Sequence, residues 1–274
     1  MRELMRGGSR LRRSAGYLTV FAAVMGVYAV SILLLPEHGL AISMAFSTAL
    51  IVYFLRRWRP IVPSYGREFA NLEALVSLSP LRLHPVLPYS RMALDGIELD
   101  AVVSHAMLTD ARVIVECGSG VSTLMLGNLL KTRQAGHLYA LEEDELWHRH
   151  MAELVSAQGL GQYVDVVHAP IAEGWYSTSV AETVLARAPH VDLLLVDGPQ
   201  TKAGQSRHDA LRFFRGALDA TSTVMLHDVN RAEEREVLTR WIGADAVKVD
   251  RILGEEAGGR GLAILNVTTG GPAA

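Results

Sequence analysis

Glu116-Cys117-Gly118-Ser119-Gly120 is the stretch of the chain best suited to hold a small ligand. Its two glycines let the backbone turn sharply and leave bare main chain against which a ligand can lie. The helix expected beyond them offers unpaired N–H groups to an anion, with the Ser119, Ser122 and Thr123 hydroxyls close by. A dinucleotide fingerprint requires a third glycine where Thr123 stands, and the Gly-Lys-Ser/Thr ending of a phosphate loop is missing. Glu142 lies 26 residues beyond Glu116. An acid at the end of the next strand accepts hydrogen bonds from both hydroxyls of a ribose. Its neighbours Glu143, Asp144 and Glu145 also suit a helix start, where carboxylates complement the dipole. Glycine turn and strand-end acid together describe a nucleoside ligand whose other end carries a carboxylate or phosphate.

These residues need strands to end just before them. Short apolar runs do so at 112–116, 137–141, 163–167, 191–196 and 222–226, and two further strands are expected near 246–252 and 262–267. Runs without alternation suit strands covered on both faces, as in a parallel sheet. Helices are expected between them at 121–131, 145–158, 179–188, 206–218 and 231–242, after earlier ones near 69–78 and 96–107. Strand–helix repetition predicts an α/β fold, a doubly wound and mostly parallel sheet of seven strands. Ligands of such sheets sit beyond the carboxyl ends of the strands, near the reversal of strand order.

The motifs in their order resemble a known family. Val113–Leu130, VIVECGSGVSTLMLGNLL, resembles motif I of class I methyltransferases that use S-adenosylmethionine, and more narrowly the methyltransferase 24-like group. The likeness continues through Leu141–Trp147, Ala169-Pro170, Val196-Asp-Gly-Pro199 and Leu226-His-Asp-Val-Asn230, and covers roughly Pro85 to Trp241. It implies that Glu116, Cys117, Gly118, Ser119 and Gly120 pack against the methionine part of the cofactor, whose carboxylate meets Ser122 and Thr123. Glu142, with Glu143 beside it, would hold the ribose, and His168 and Ala169 would lie by the adenine. Glu116 and Asp197 would face the sulfonium. Catechol-type relatives hold Mg²⁺ with acids after strands four and five, which here are Asp197 and Asp228; oxygen ligands suit that ion. The other reading is that Asp197 contacts the cofactor while Asp228 caps the next helix. His227 is a candidate general base, because an ordinary imidazole titrates near ~6.5.

The chain has 274 residues and a net charge of −3. Residues 1–60 carry eight arginines against Glu3 and Glu37, a balance of +6 that leaves −9 on the rest. An acidic body argues against nucleic acid as a partner. One cysteine, Cys117, excludes a disulfide framework. Residues 17–35 and 39–55 are uncharged apolar runs, about 28 and 25 Å long as helices, and arginines flank the pair on both outer sides. They predict an N-terminal transmembrane hairpin within residues 1–59, with both ends cytoplasmic. The linker and connecting helix would then cover 60–84, with the two prolines of 60–66 in the linker. The methyltransferase domain would occupy 85–267 and a disordered tail 268–274. The expected activity is membrane-anchored methyl transfer to a small-molecule or lipid-linked acceptor in the cytosol. The rivals are a nicotinamide-dependent oxidoreductase and a non-catalytic membrane scaffold. Nothing in the sequence fixes the oligomeric state.

Overall fold

The computed structural model describes residue 38 and residues 61–81, 93–200, 206–244, 246–254 and 259–268. The expected hairpin at 17–35 and 39–55 and the tail beyond Thr268 lie outside these residues. Among the described residues no helix is long and apolar enough to cross a membrane. The chain divides into two compact units, Met1–Tyr65 and Gly66–Ala274, and the sheet and the site belong to the second.

Helix α1, Ile61–Ser77, starts earlier than expected and takes in most of the presumed linker. Pro63 falls in its first turn, where an N–H has no helical partner and its loss costs little. Helix α2, Gly96–Leu108, opens with a capping box: Asp95 accepts the Glu98 N–H, and Glu98 accepts the Asp95 N–H. Strand β1 (Val113–Cys117), helix α3 (Val121–Arg133), strand β2 (His137–Glu142), helix α4 (Glu145–Ala157) and strand β3 (Val164–His168) then alternate. A two-stranded hairpin follows, β4 (Ile171–Ala172) with β5 (Trp175–Tyr176). Its two-residue turn, Glu173-Gly174, takes positive φ at both positions, 53° and 87°, as a right-twisted tight hairpin demands. Helix α5 (Thr178–Arg187), β6 (Leu193–Val196), α6 (Asp209–Phe214), β7 (Thr223–His227), α7 (Ala232–Gly243), β8 (Val247–Leu253) and β9 (Leu262–Val267) complete the order.

The large sheet has seven strands in the order β3-β2-β1-β6-β7-β9-β8. The first five are parallel, and β9 runs antiparallel to both neighbours. Alternate residues of each strand serve opposite faces. Val115, Leu194, Val196, Val224 and Leu226 pack with Tyr176, Phe214 and Trp241. Ile114, Leu193, Leu195 and Met225 pack with Leu99, Val102, Leu124 and Met151. Both faces are covered, which is why the central strands are apolar except for Glu116, Thr223 and His227 near their ends.

Strand order reverses between β1 and β6. Connections leave these two strands in opposite directions and open a crevice at their carboxyl ends. There the chains approach closely. A Cβ on Gly198 would stand 2.5 Å from Tyr176 Oη and 3.0 Å from the Gly118 nitrogen, and Gly118 itself turns with φ 98°.

Candidate functional site

The crevice is a cavity of about 620 Å³, a size that suits a nucleoside ligand. Gly118 to Ser122 and Glu142 to Asp144 form one wall, and Asp197, Arg207, Asp228, Arg231 and Arg260 another.

On the first wall the glycine turn and the strand-end acid are already joined. Ser119 Oγ donates to Glu142 Oε2 at 2.6 Å, and the Asp144 N–H donates to Glu142 Oε1 at 3.0 Å. Trp147 Nε1 donates to the Ser119 carbonyl at 2.9 Å and ties helix α4 to the turn. Burial raises the Glu142 carboxyl above its ordinary range, against the pull of Ser119 and Asp144. Nothing stands within 4 Å of where a Gly120 Cβ would project, so the turn presents an open cradle.

Beneath the turn lies a closed cluster. Ser122 Oγ donates to Glu116 Oε1, and Thr123 Oγ1 donates to Glu116 Oε2 at 2.6 Å. Thr123 Oγ1 also accepts the Gly120 N–H at 2.9 Å. The two hydroxyls expected to meet a ligand carboxylate are therefore directed at Glu116 and brace the turn from below. Burial pushes the Glu116 carboxyl up to about 7, despite both donors. Glu116 nevertheless lines the cavity, with both its oxygens already accepting from these hydroxyls.

Asp197 and His227 meet across β6 and β7. His227 Nδ1 bonds Asp197 Oδ1 at 2.6 Å and Nε2 bonds Glu98 Oε2 at 3.1 Å. Burial works to lower the His227 pKa, yet the facing carboxylates of Asp197, Glu98 and Asp228 raise it to about 9. His227 is fully buried, does not line the cavity and has both ring nitrogens engaged by carboxylates, so where a general base was expected the structure presents no nitrogen to an acceptor. Its role is to position Asp197 and hold it ionised: burial opposes ionisation, but His227 and Arg207 keep the Asp197 carboxyl below its ordinary range. Asp197 keeps 20% of its side chain exposed and faces the cavity.

Asp228 is fully buried beneath three guanidiniums. Arg260 Nε donates to Oδ1 at 2.7 Å, and Oδ2 lies 3.0 Å from Arg231 Nη1 and 3.3 Å from Arg207 Nη2. Asp197, His227 and Asp228 do place one ligand-type atom each within 4.8 Å of one another. Mg²⁺ needs carboxylate oxygens available to it. Here both Asp228 oxygens are engaged by guanidiniums, Asp197 Oδ1 is held by His227, and both His227 nitrogens are spent. Asn230 donates its amide to the carbonyls of Gly254 and Gly259, at 2.6 and 2.8 Å, and is turned away from the acids. These residues do not fit a divalent ion, and the expected Mg²⁺ ligand pair of Asp197 and Asp228 is corrected on that ground. The Asp228 carboxylate goes to arginines and does not cap α7; its carbonyl accepts the N–H of Arg231, the residue before the helix, at 2.8 Å.

Several expected residues stand elsewhere. His168 stacks on His148 with ring centroids 5.5 Å apart, and Ala169 and Cys117 are fully buried; none of the three lines the cavity. Glu143 does line it. Tyr176 and Arg207, which the sequence offers either as lining of an acceptor pocket or as ordinary packing and surface groups, line it as well. Trp147, Gly198, Arg231 and Arg260 also line it, and Glu98 supports it from behind; none of these four nor Glu98 was singled out as a site residue from sequence. The Glu-Gly pair at 173–174 could have signalled the hairpin that delivers Tyr176.

Comparison with known proteins agrees with this architecture. Residues 115–229 match the family model described as a methyltransferase domain. No curated protein matches the sequence. A Staphylococcus aureus structure described as a caffeoyl-CoA O-methyltransferase superposes with TM-score 0.51 at 12% identity, covering 77% of this chain and 99% of its own. A Podospora anserina methyltransferase bound to SAH superposes with TM-score 0.50 at 14% identity, covering 71% of this chain and 88% of its own. At such identities the likeness is one of fold.

Proposed function

We propose that this chain, which carries a methyltransferase domain, uses S-adenosylmethionine to methylate an oxygen of a small-molecule acceptor in the cavity between Glu142 and Asp228. The observation that carries the reading is the pairing of an open glycine turn with a buried strand-end carboxylate on one wall of a crevice at the reversal of strand order. S-adenosylmethionine, when bound, supplies an electrophilic methyl group on a sulfonium.

The protein's part is to bind and to position. Glu142 exchanges its bond from Ser119 for the ribose hydroxyls, and the bare backbone of 118–120 lies against the methionine chain. Asp197, held ionised by His227 and Arg207, supplies negative charge where the sulfonium sits. Holding an acceptor oxygen in line with the methyl group lowers the barrier by positioning, and no dedicated base is required. Calorimetric titration of the full-length protein with S-adenosylhomocysteine tests the reading. Micromolar binding is expected, about −8 kcal/mol, and absence of binding at millimolar ligand overturns it.

We also infer attachment to a membrane, with both ends cytoplasmic and the acceptor small or lipid-linked. The apolar runs at 17–35 and 39–55 and the arginines on both outer sides support this. The full chain should stay in the membrane pellet through alkaline carbonate extraction. Release into the supernatant would contradict the anchor without touching the chemistry.

A further inference from the structure

We infer that Tyr176 is a further binding residue of this site, whose hydroxyl accepts a hydrogen bond from the α-ammonium at the amino-acid end of the cofactor. The inference rests on the methyltransferase reading and adds a residue to it.

Tyr176 comes to the crevice from the small hairpin and not from a strand of the large sheet. Its ring is 2% exposed, packs with Val115, Val196 and Leu226, and stands edge-on to Trp175 with centroids 4.9 Å apart. The hydroxyl end reaches the cavity wall. Oη and the Gly118 nitrogen flank one point beside Gly198, so the hydroxyl stands at the glycine turn.

Among the described residues this hydroxyl has no hydrogen-bond partner. The other buried polar side chains of the wall are committed. Ser122 donates to Glu116, Ser119 to Glu142, Arg207 to the His227 carbonyl and Arg260 to Asp228. The main chain beside Oη is committed too: the Gly118 N–H goes to the Leu141 carbonyl at 2.8 Å and the Asp197 N–H to the Cys117 carbonyl at 3.0 Å. Water satisfies a phenol in an open crevice. A ligand that fills the crevice strips that water, and a buried hydroxyl left bare is costly. The ligand must therefore bring a polar atom to Oη.

The surrounding charge decides which atom. Glu142, Glu143 and Asp197 line the same cavity, and they attract an ammonium and repel a carboxylate. Arg207, the cation that acts on Tyr176, is itself matched by Asp228 and Asp197, at 3.3 and 3.6 Å. Burial raises the phenol well above its ordinary range, so it stays neutral and keeps lone pairs to offer. The methionine chain, lying on the glycine turn, carries its ammonium past this oxygen.

The test is calorimetry on the full-length protein in detergent with three ligands. S-adenosylhomocysteine carries the whole amino-acid end, its decarboxylated analogue keeps the amine alone, and 5′-methylthioadenosine has neither group. Tyr176→Phe should weaken the first two about tenfold or more and leave the third within about twofold. The urea midpoint should not fall, because the hydroxyl removed bonds to no described residue. Unchanged affinity for S-adenosylhomocysteine overturns the inference. So does an equal loss for 5′-methylthioadenosine, which puts the contact on the adenosine, or a loss confined to S-adenosylhomocysteine, which assigns it to the carboxylate. A midpoint that falls along with affinity makes Tyr176 a structural residue and overturns it as well. Wild-type protein that binds none of the three ligands overturns the methyltransferase reading itself, whereas binding that ignores Tyr176 sinks this inference alone.

Discussion

Glu142 and Glu145 stand three residues apart and face different worlds. Glu142 is buried, accepts from Ser119 and Asp144, and lines the cavity, whereas the side chain of Glu145 is 70% exposed and pairs only loosely with Arg149, at 3.9 Å. Glu142→Ala should therefore weaken S-adenosylhomocysteine binding by about tenfold or more, and Glu145→Ala by less than about twofold, since charge-assisted bonds contribute ~1.5–3 kcal/mol and an exposed pair little. Equal losses in calorimetry would place the ribose elsewhere. Glu142 was legible in the sequence because an acid after an apolar run marks a strand end. Ser122 and Thr123 stand out in the sequence, but the direction of their hydroxyls does not, because nothing local says that Glu116 lies beneath them. The arginines at 207, 231 and 260 meet only through the fold, and no spacing along the chain could announce them. Glu98 was hidden by its own familiarity: one oxygen completes a capping box, which explains the residue locally, and the same oxygen also reaches His227, 129 positions away.

At the scale of elements, the apolar runs gave away the parallel strands because both faces of the sheet are covered. The short hairpin of β4 and β5 went unseen, since two-residue strands carry no periodicity. Its consequence is Tyr176, delivered against the loop that follows β6. Gly198→Ala brings a Cβ against Tyr176 Oη and the Gly118 backbone at once, and one of these is main chain that cannot yield cheaply. Overpacking of this kind costs about 1–3 kcal/mol. A fall of that size in denaturant stability, with weaker cofactor binding, is the expected outcome; an unchanged unfolding midpoint would show that the two strand ends can part freely. Gly118→Ala should also be destabilising, by roughly 1–2 kcal/mol, because φ 98° strains any residue with a side chain.

Across the whole molecule the buried charges set how stability follows pH. His227 keeps its proton to about 9 in the folded chain, against an ordinary 6.5, so its contribution is complete below pH 6.5 and lost as pH rises through 9. Glu116, raised by burial from 4.5 to about 7, binds its proton more tightly folded than unfolded, and so also lowers stability as pH climbs through that interval. Both slopes have one sign. His105, lowered by burial, works the other way below pH 6.5, so the urea midpoint should fall most clearly from about pH 6.5 to 9.5, and His227→Gln should flatten that fall. A midpoint rising over this range would contradict the carboxylate–imidazolium pairing.

The indole of Trp147, hydrogen-bonded to the Ser119 carbonyl and standing in the cavity wall, makes the molecule its own optical gauge. Of the other tryptophans among the described residues, Trp175 and Trp241 are sealed in the interior and should emit steadily whatever enters the crevice. A shift in emission on adding a nucleoside would therefore report filling of the pocket in real time and without a label, and Trp147→Phe should silence it.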